Sequence, residues 1–194
     1  MRGFRLPPVY PITDTQISGL SHAEQIALFA ERGASLVQLR EKRAPALQFY
    51  EQAKTALAVA AERGVQLIIN DRVDIALAVG AAGVHLGQDD LPPDVARRLL
   101  GDDAVIGYST HSVAQALEAS KLPIDYLAIG PIFGTSTKEN PDPVVGLKGL
   151  QAVRAATGNL PLVAIGGITT ANAREVFRAG ADSLAMISAL WNKS

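Results

Sequence analysis

The chain contains no cysteine. Disulfide staples and thiolate metal sites are therefore excluded. Histidine is scarce as well: His22, His85 and His111 are widely spaced and form no zinc-ligand pattern. An excess of either charge is also missing, since the formal net charge is -1. No global basic field exists to hold nucleic acid or an anionic membrane, so any anion has to be met by a local cluster. No apolar run approaches the length needed to cross a bilayer. The N-terminal "MRGFRLPPVYPITD" has too short an apolar stretch for a signal peptide, and Pro7 and Pro8 interrupt it. A cytoplasmic protein is the expectation. Low-complexity segments and Pro- or Gly-rich linkers are absent too. With 194 residues, 48% of them hydrophobic, the chain reads as one soluble domain over residues 1–194. Its oligomeric state is left open.

What is present is an alternation. Eight short apolar runs occur in order: "VYPIT" (9–13), "LVQLR" (36–40), "QLIIN" (66–70), "GVHLG" (83–87), "VIGYS" (105–109), "YLAIG" (126–130), "LVAIG" (162–166) and "SLAMIS" (183–188). Alanine-rich amphipathic segments lie between them, near 22–32, 45–63, 72–80, 93–100, 113–120, 147–157 and 170–179. Ser21-x-x-Glu24 and Ser112-x-x-Gln115 have the form of capping boxes. Arg32-Gly33, Arg63-Gly64, Ala82-Gly83 and Ala179-Gly180 read as helix C-caps entering the next strand. Only "ALWNKS" follows the last run, so an eighth helix would be short or truncated. Strands alternating with helices imply parallel pairing through right-handed crossovers. Eight such units in one domain predict a closed (β/α)8 TIM barrel of the α/β class. A doubly wound open sheet competes. The count of eight disfavours it, as does the late position of the one GxGxxG-like stretch, "AIGGITTANA".

In a barrel the reacting groups sit at the C-terminal ends of the strands. At the second, alternation turns Val37 and Leu39 toward the helices and Gln38 and Arg40 inward, with Lys42 just beyond. An inward arginine needs an anion, and Arg with Lys suits a phosphate or pyrophosphate. An internal salt bridge, for example from Arg40 to Asp71, accounts for it equally well. Asn70 and Asp71 close the third run, where a helix cap alone explains Asp71. Asp89 and Asp90 follow the fourth. Carboxylates converging from neighbouring strand ends repel unless a cation joins them. Magnesium uses one or two carboxylates and bridges to phosphate oxygens. Asp71 with Asp90 is the favoured pair, and Asp89 can replace Asp90.

Ser109 and His111 lie at or beyond the fifth strand end. His111 is read as bonding locally beside the Ser112 cap rather than as an acid or base. His85, inside an apolar run, is read as a satisfied core histidine. Gly166-Gly167 permits close backbone approach to a ligand, and Ile187-Ser188 offers N–H groups. Strand ends seven and eight of such barrels commonly hold a phosphate. After the sixth run, "GPIFGTSTKEN" (130–140) sets small donors and Lys138 in one loop.

Taken together, "VQLREK", "INDRVDIALAVGAAGVHLGQDD", "GYSTHS", "GPIFGTSTKEN", "VAIGGIT" and "AMISAL" resemble the thiamin phosphate synthase family, in the right order from about residue 9 to residue 190. That resemblance implies a transferase. It would join 4-amino-5-hydroxymethyl-2-methylpyrimidine pyrophosphate to 4-methyl-5-(2-phosphoethyl)thiazole, with Mg²⁺. It implies that Gln38, Arg40, Lys42 and Asn70 hold the pyrimidine pyrophosphate, with Ser109 and Lys138 also contacting the pyrophosphate. It implies Asp71 and Asp90 as Mg²⁺ ligands. Thr135, Thr137, Gly167, Ile187 and Ser188 would hold the thiazole phosphate. Arg40, Lys42, Lys138 and Ser109 would assist departure of the pyrophosphate, with no protein nucleophile. The chain departs from the commoner pattern at Gly134, where a proline often stands, and at Glu139, where a second lysine is frequent. Related thiazole tautomerases share the fold and much of "GYSTHS", but tend to lose the acidic pair after the fourth strand, which is Asp89 and Asp90 here. A silent barrel that only binds thiazole phosphate would have no use for a metal.

Overall fold

The computed structural model describes residues 4–135 and 142–191. The strands are β1 (Val9–Pro11), β2 (Leu36–Leu39), β3 (Gln66–Asn70), β4 (Gly83–Leu86), β5 (Val105–Thr110), β6 (Tyr126–Ile129), β7 (Leu162–Ile165) and β8 (Ser183–Met186). The helices are α1 (Thr15–Ser18), α2 (His22–Glu31), α3 (Ala46–Glu62), α4 (Val73–Val79), α5 (Pro93–Leu100), α6 (Val113–Ala119), α7 (Gly146–Thr157) and α8 (Ala173–Arg178). The strands pair in parallel in the order β1-β8-β7-β6-β5-β4-β3-β2. A parallel bridge between Ile12 and Gln38, with the Thr13 N–H donating to the Gln38 carbonyl at 2.9 Å, brings β1 onto β2 and closes the ring. This is a (β/α)8 barrel. Among the described residues no helix is long and apolar enough to cross a membrane.

The two faces of each strand explain why these runs close. Outward residues, among them Val37, Leu39, Leu67, Ile69, Val84 and Leu86, pack with Phe49, Ala53, Ala56 and Ala60 of α3 in one core between sheet and helices. A second such core gathers Leu127, Ile129, Leu162, Ala164 and Leu184 against α6, α7 and α8. Inward residues fill the barrel itself: Tyr10, Ile12, Leu36, Ile68, Val105, Tyr126, Ala128, Val163 and Ala185. The alanine-rich faces let helices lie close to the sheet, and every one of those α3 alanines is fully buried.

Helix ends follow local chemistry, with two departures from the sequence reading. Ser21 and Glu24 form the full reciprocal box at α2. Ser112 accepts from the Gln115 N–H at α6, but the Gln115 side chain reaches one residue further back, to the His111 N–H. Gly33, Gly64 and Gly180 take positive φ after their helices, as a C-terminal stop requires. Ala82-Gly83 is no cap. Gly80 ends α4 instead, and Gly83 starts β4, where an added Cβ would stand 1.9 Å from the Val105 carbonyl oxygen. After β8 the described residues make a 3-10 turn, Ser188–Leu190.

Two matching clasps tie the N-terminal side of the barrel. Arg97 of α5 donates to the Pro123 carbonyl and to Asp125, which also accepts from the Ile106 N–H at 2.7 Å. Arg154 of α7 donates to the Gly180 carbonyl and to Asp182, which accepts from the Leu162 N–H at 2.8 Å. Conserving the opposite face for chemistry is the usual division in this architecture.

One inward glycine decides the barrel's interior. Gly107 pairs with Tyr126, and a Cβ there would lie 2.0 Å from Cζ of the Tyr126 ring. The missing side chain is the space that the phenol occupies. Gly107→Ala is expected to destabilise the fold by about 1–3 kcal/mol through overpacking. A shift of the urea midpoint to lower concentration, at unchanged slope, would register it; an unchanged midpoint would show that the ring has room to move.

Candidate active site

A cavity of about 640 Å³ opens at the C-terminal ends of the strands. Gln38, Arg40, Lys42, Asn70, Asp71 and Asp90 line it from β2, β3 and the β4 loop. Ser109, Thr135, Gly167, Ile187 and Ser188 line it from the other side. Thr137 and Lys138 lie outside the described residues.

The β2 end is built to carry charge. Strand alternation sends Gln38 into the barrel, where it is 3% exposed, and brings Arg40 to the rim. The internal ion pair of Arg40 exists, but its partner is Asp14 at 3.0 Å, not Asp71. Asp14 is held in place because its other carboxylate oxygen caps α1, accepting from the Gln16 and Ile17 N–H groups. The turn beyond β2 is fixed by a second set of contacts. The Arg40 N–H donates to Thr13 Oγ1 at 3.2 Å, and Thr13 Oγ1 bonds His22 Nδ1 at 2.7 Å. His22 Nε2 faces Glu41 at 3.5 Å, and Glu41 accepts from the Arg43 and Ala44 N–H groups. Burial pushes the His22 pKa below its ordinary value, against the pull of Glu41.

Neither acid at the next two strand ends caps its helix. The caps of α4 and α5 are Arg72 and Pro92, without side-chain bonds. Asp71 instead takes φ 62°, a left-handed conformation that a non-glycine residue adopts at a cost, and its carboxylate pairs with Lys42. The Asp71 N–H donates to the His85 carbonyl at 2.8 Å. Asp90 accepts from the Gly87 N–H at 2.6 Å. Its pKa is raised, chiefly by burial; the Gly87 N–H opposes this, and the neighbouring Asp71 carboxylate adds to it. Asp90, not the exposed Asp89, is therefore the acid that meets Asp71. Among the described residues no group of three or more His, Cys, Asp or Glu could hold a metal. Two adjoining carboxylates with one raised pKa do fit a hard cation that keeps most of its waters. Here Lys42 also neutralises Asp71.

The cavity floor is a chain of polar side chains that the sequence did not single out together. Gln38 Nε2 lies 3.4 Å from the Tyr10 hydroxyl, which lies 3.0 Å from the Tyr126 hydroxyl. Tyr126 Oη is 2.9 Å from His85 Nδ1, and His85 Nε2 is 2.8 Å from Ser109 Oγ. The His85 and Tyr126 rings stack with centroids 5.5 Å apart. His85 is a satisfied histidine of the barrel interior, yet it borders the cavity. Burial pulls its pKa down to about 4; Asp90 opposes this and Lys42 assists. Both phenols are pushed above their ordinary range by burial. Beside this chain, Asn70 Nδ2 is buried without a hydrogen-bond partner. A bare buried donor is costly, and this one borders the cavity, where a water or a ligand can supply the acceptor. Period-two alternation puts Tyr10, His85 and Tyr126 on inward faces; that was the available signal.

His111 does not bond beside the Ser112 cap: its ring lines the cavity, with Nδ1 2.7 Å from the Gly130 carbonyl oxygen at the end of β6 and 3.5 Å from Asp142. The Gly166-Gly167 pair has a reason other than ligand approach. A Cβ on Gly166 would lie 2.6 Å from Pro131 Cα, and one on Gly167 would lie 2.6 Å from the Gly134 carbonyl oxygen. Both glycines have positive φ, so the β7 loop can press against the β6 loop and shape the cavity wall from its own backbone.

A (β/α)8 barrel with arginine, lysine, paired carboxylates and small donors around one mouth is a barrel for phosphorylated small molecules. Residues 9–190 match the family model described as thiamine monophosphate synthase. The chain belongs to that family. It is 48% identical over 183 residues to a thiamine-phosphate synthase of Chloroflexus aurantiacus, covering 94% of this chain and 84% of the relative. A thiamine-phosphate synthase of Syntrophomonas wolfei is 46% identical over 187 residues, covering 96% and 89%. Among solved structures, a thiamine phosphate pyrophosphorylase from Pyrococcus furiosus superposes with a TM-score of 0.84 at 39% identity, covering 96% of this chain and 88% of that one.

The depressed His85 pKa predicts an acid-dependent loss of stability. Between pH 6.5 and about 4 the unfolded chain binds a proton at this ring that the folded chain does not, so stability falls as pH falls through that window. The full effect is on the order of 3 kcal/mol. Urea unfolding of the wild type and His85→Gln at pH 7 and pH 4 measures it: the wild type should lose more. Parallel losses would place the ring's titration elsewhere.

Proposed function

We propose that this chain is a thiamin phosphate synthase that couples a pyrimidine methyl pyrophosphate to a thiazole phosphate, releasing pyrophosphate. Membership of the family carries the activity, and the meeting of Asp71 with Asp90 beside Lys42 and Arg40 is the local observation that best supports it. A thiazole phosphate sensor has no need of that acidic pair, and a thiazole tautomerase has none for Asp89 and Asp90 after β4.

In this reading Gln38 and Asn70 orient the pyrimidine, and Asn70 Nδ2 gains the acceptor it lacks. Arg40, Lys42 and Ser109 meet the pyrophosphate, joined by Lys138. Departure of pyrophosphate leaves negative charge on the leaving group and positive charge on the pyrimidine methylene. Positive groups already in place at the rim stabilise the first without reorganising. Mg²⁺ held by Asp71 and Asp90 would supply further charge neutralisation to the phosphate oxygens. Lys42, now on Asp71, is then free to turn to substrate. Thr135, Thr137, Gly167 and the Ile187-Ser188 backbone hold the thiazole phosphate, so its ring nitrogen attacks from a fixed position. No side chain has to form a covalent bond.

Thiamin phosphate should form from the two substrates with Mg²⁺ and should stop in excess chelator. Asp71→Asn should lower kcat by at least about tenfold, the scale of losing one charge-assisted contact in the transition state. Failure of the wild type to make thiamin phosphate would sink the assignment. Full activity of Asp71→Asn under chelator would remove the metal from it.

A further inference from the structure

The buried chain across the barrel has a direction. We propose that His85 is a positioning residue which, through a one-way hydrogen-bond relay from Gln38 by way of Tyr10 and Tyr126, holds Ser109 as an obligate donor to the anion in the cavity. This inference rests on the synthase reading for the identity of that anion.

The argument starts from the inventory of each group. An amide nitrogen donates and cannot accept, so Gln38 Nε2 gives its proton to the Tyr10 oxygen. Tyr10 then donates to the Tyr126 oxygen at 3.0 Å. Tyr126 in turn donates to His85 Nδ1 at 2.9 Å. A neutral ring carries one N–H, which must then sit on Nε2 and point at Ser109 Oγ, 2.8 Å away. With a lone pair of Ser109 so engaged, its own O–H is turned away from the ring, toward the cavity it lines.

Run backwards, the same distances would describe a different site. Ser109 would donate to His85, and its lone pairs would face the cavity, which repels an anionic oxygen. The direction hinges on the Gln38 amide presenting nitrogen rather than oxygen to Tyr10. Packing keeps the chain in register. Tyr10 and Tyr126 meet edge-on at 5.9 Å, Phe4 stacks on Tyr126, and the missing Gly107 side chain admits the phenol. All three relay residues between Gln38 and Ser109 are buried. The relay therefore fixes a hydroxyl proton at one strand end, β5, from an amide on another, β2.

The tautomer can be read directly on substrate-free protein. With ¹⁵N-labelled histidine, the long-range ¹H–¹⁵N spectrum should show His85 with a protonated Nε2 and an unprotonated Nδ1, assigned by its loss in His85→Gln. A protonated Nδ1 overturns the proposal, whatever the protein turns over. Kinetics supply the second measurement. Tyr126→Phe keeps His85 and Ser109 but removes the donor to Nδ1. It should raise KM for the pyrimidine pyrophosphate about tenfold, the scale of one hydrogen bond to a charged group, and leave KM for the thiazole phosphate within about twofold. Ser109→Ala added to Tyr126→Phe should cost much less than Ser109→Ala alone. Equal rises in both KM values, or full multiplication of the two effects, would reduce the chain to a packing role. If the wild type makes no thiamin phosphate, the functional reading fails while the tautomer result still stands on its own.

Discussion

A hydroxyl buried at the centre of a barrel has to find its hydrogen bonds inside the barrel. Tyr126 is fully buried, and its phenol meets Tyr10 on one side and His85 on the other. Much of the interior is arranged around that requirement. Gly107 gives up its side chain to admit the ring. Phe4 and His85 stack on it. The chain of partners ends only where Gln38 and Ser109 reach the cavity. The apolar barrel core and the polar floor of the site are thus one packing problem, because leaving any link unpaired would cost about 1–3 kcal/mol.

Above that floor, charge is balanced in advance. Arg40 rests on Asp14 and Lys42 on Asp71, so the two cations most suited to a pyrophosphate are held by carboxylates. A protein with net charge -1 can present positive groups to a ligand only locally. In the proposed reading, exchanging these internal partners for substrate oxygens costs less than ordering free cations, since both side chains are already held. Asp71 sits at the centre of this balance, held in a left-handed backbone conformation and beside Asp90. Strain and like charge at one residue are what a site tolerates when a ligand is to relieve them.

The repeat of apolar runs and amphipathic helices was legible in the sequence because period two and period 3.6 are imposed by backbone geometry. Boundaries of the seven expected helices fall within a few residues of those found. The short α1 went unseen, since a four-residue helix capped by Asp14 carries no periodicity. Gly83 was misread as a cap for a related reason: Ala-Gly after a helix has the composition of a stop, and only the neighbouring strand shows that the glycine makes room for the Val105 backbone. Gly166 and Gly167 do line the cavity, but only the fold shows that a Cβ on either would also meet Pro131 or Phe133 of another loop.

For the site, alternation was enough to turn Gln38 and Arg40 inward, and polar residues closing apolar runs marked Lys42, Asn70, Asp71, Asp89 or Asp90, and Ser109 as candidates that line the cavity. The sequence by itself determined the barrel and which strand ends present polar residues to its mouth, for both follow from short-range periodicity. Tertiary structure alone decided the pairings: Asp14 rather than Asp71 for Arg40, Asp90 rather than Asp89 beside Asp71, and the line from Gln38 to Ser109. Those choices depend on the register between strands and on which side chains a closed ring brings within hydrogen-bond reach, distances that no spacing along the chain encodes.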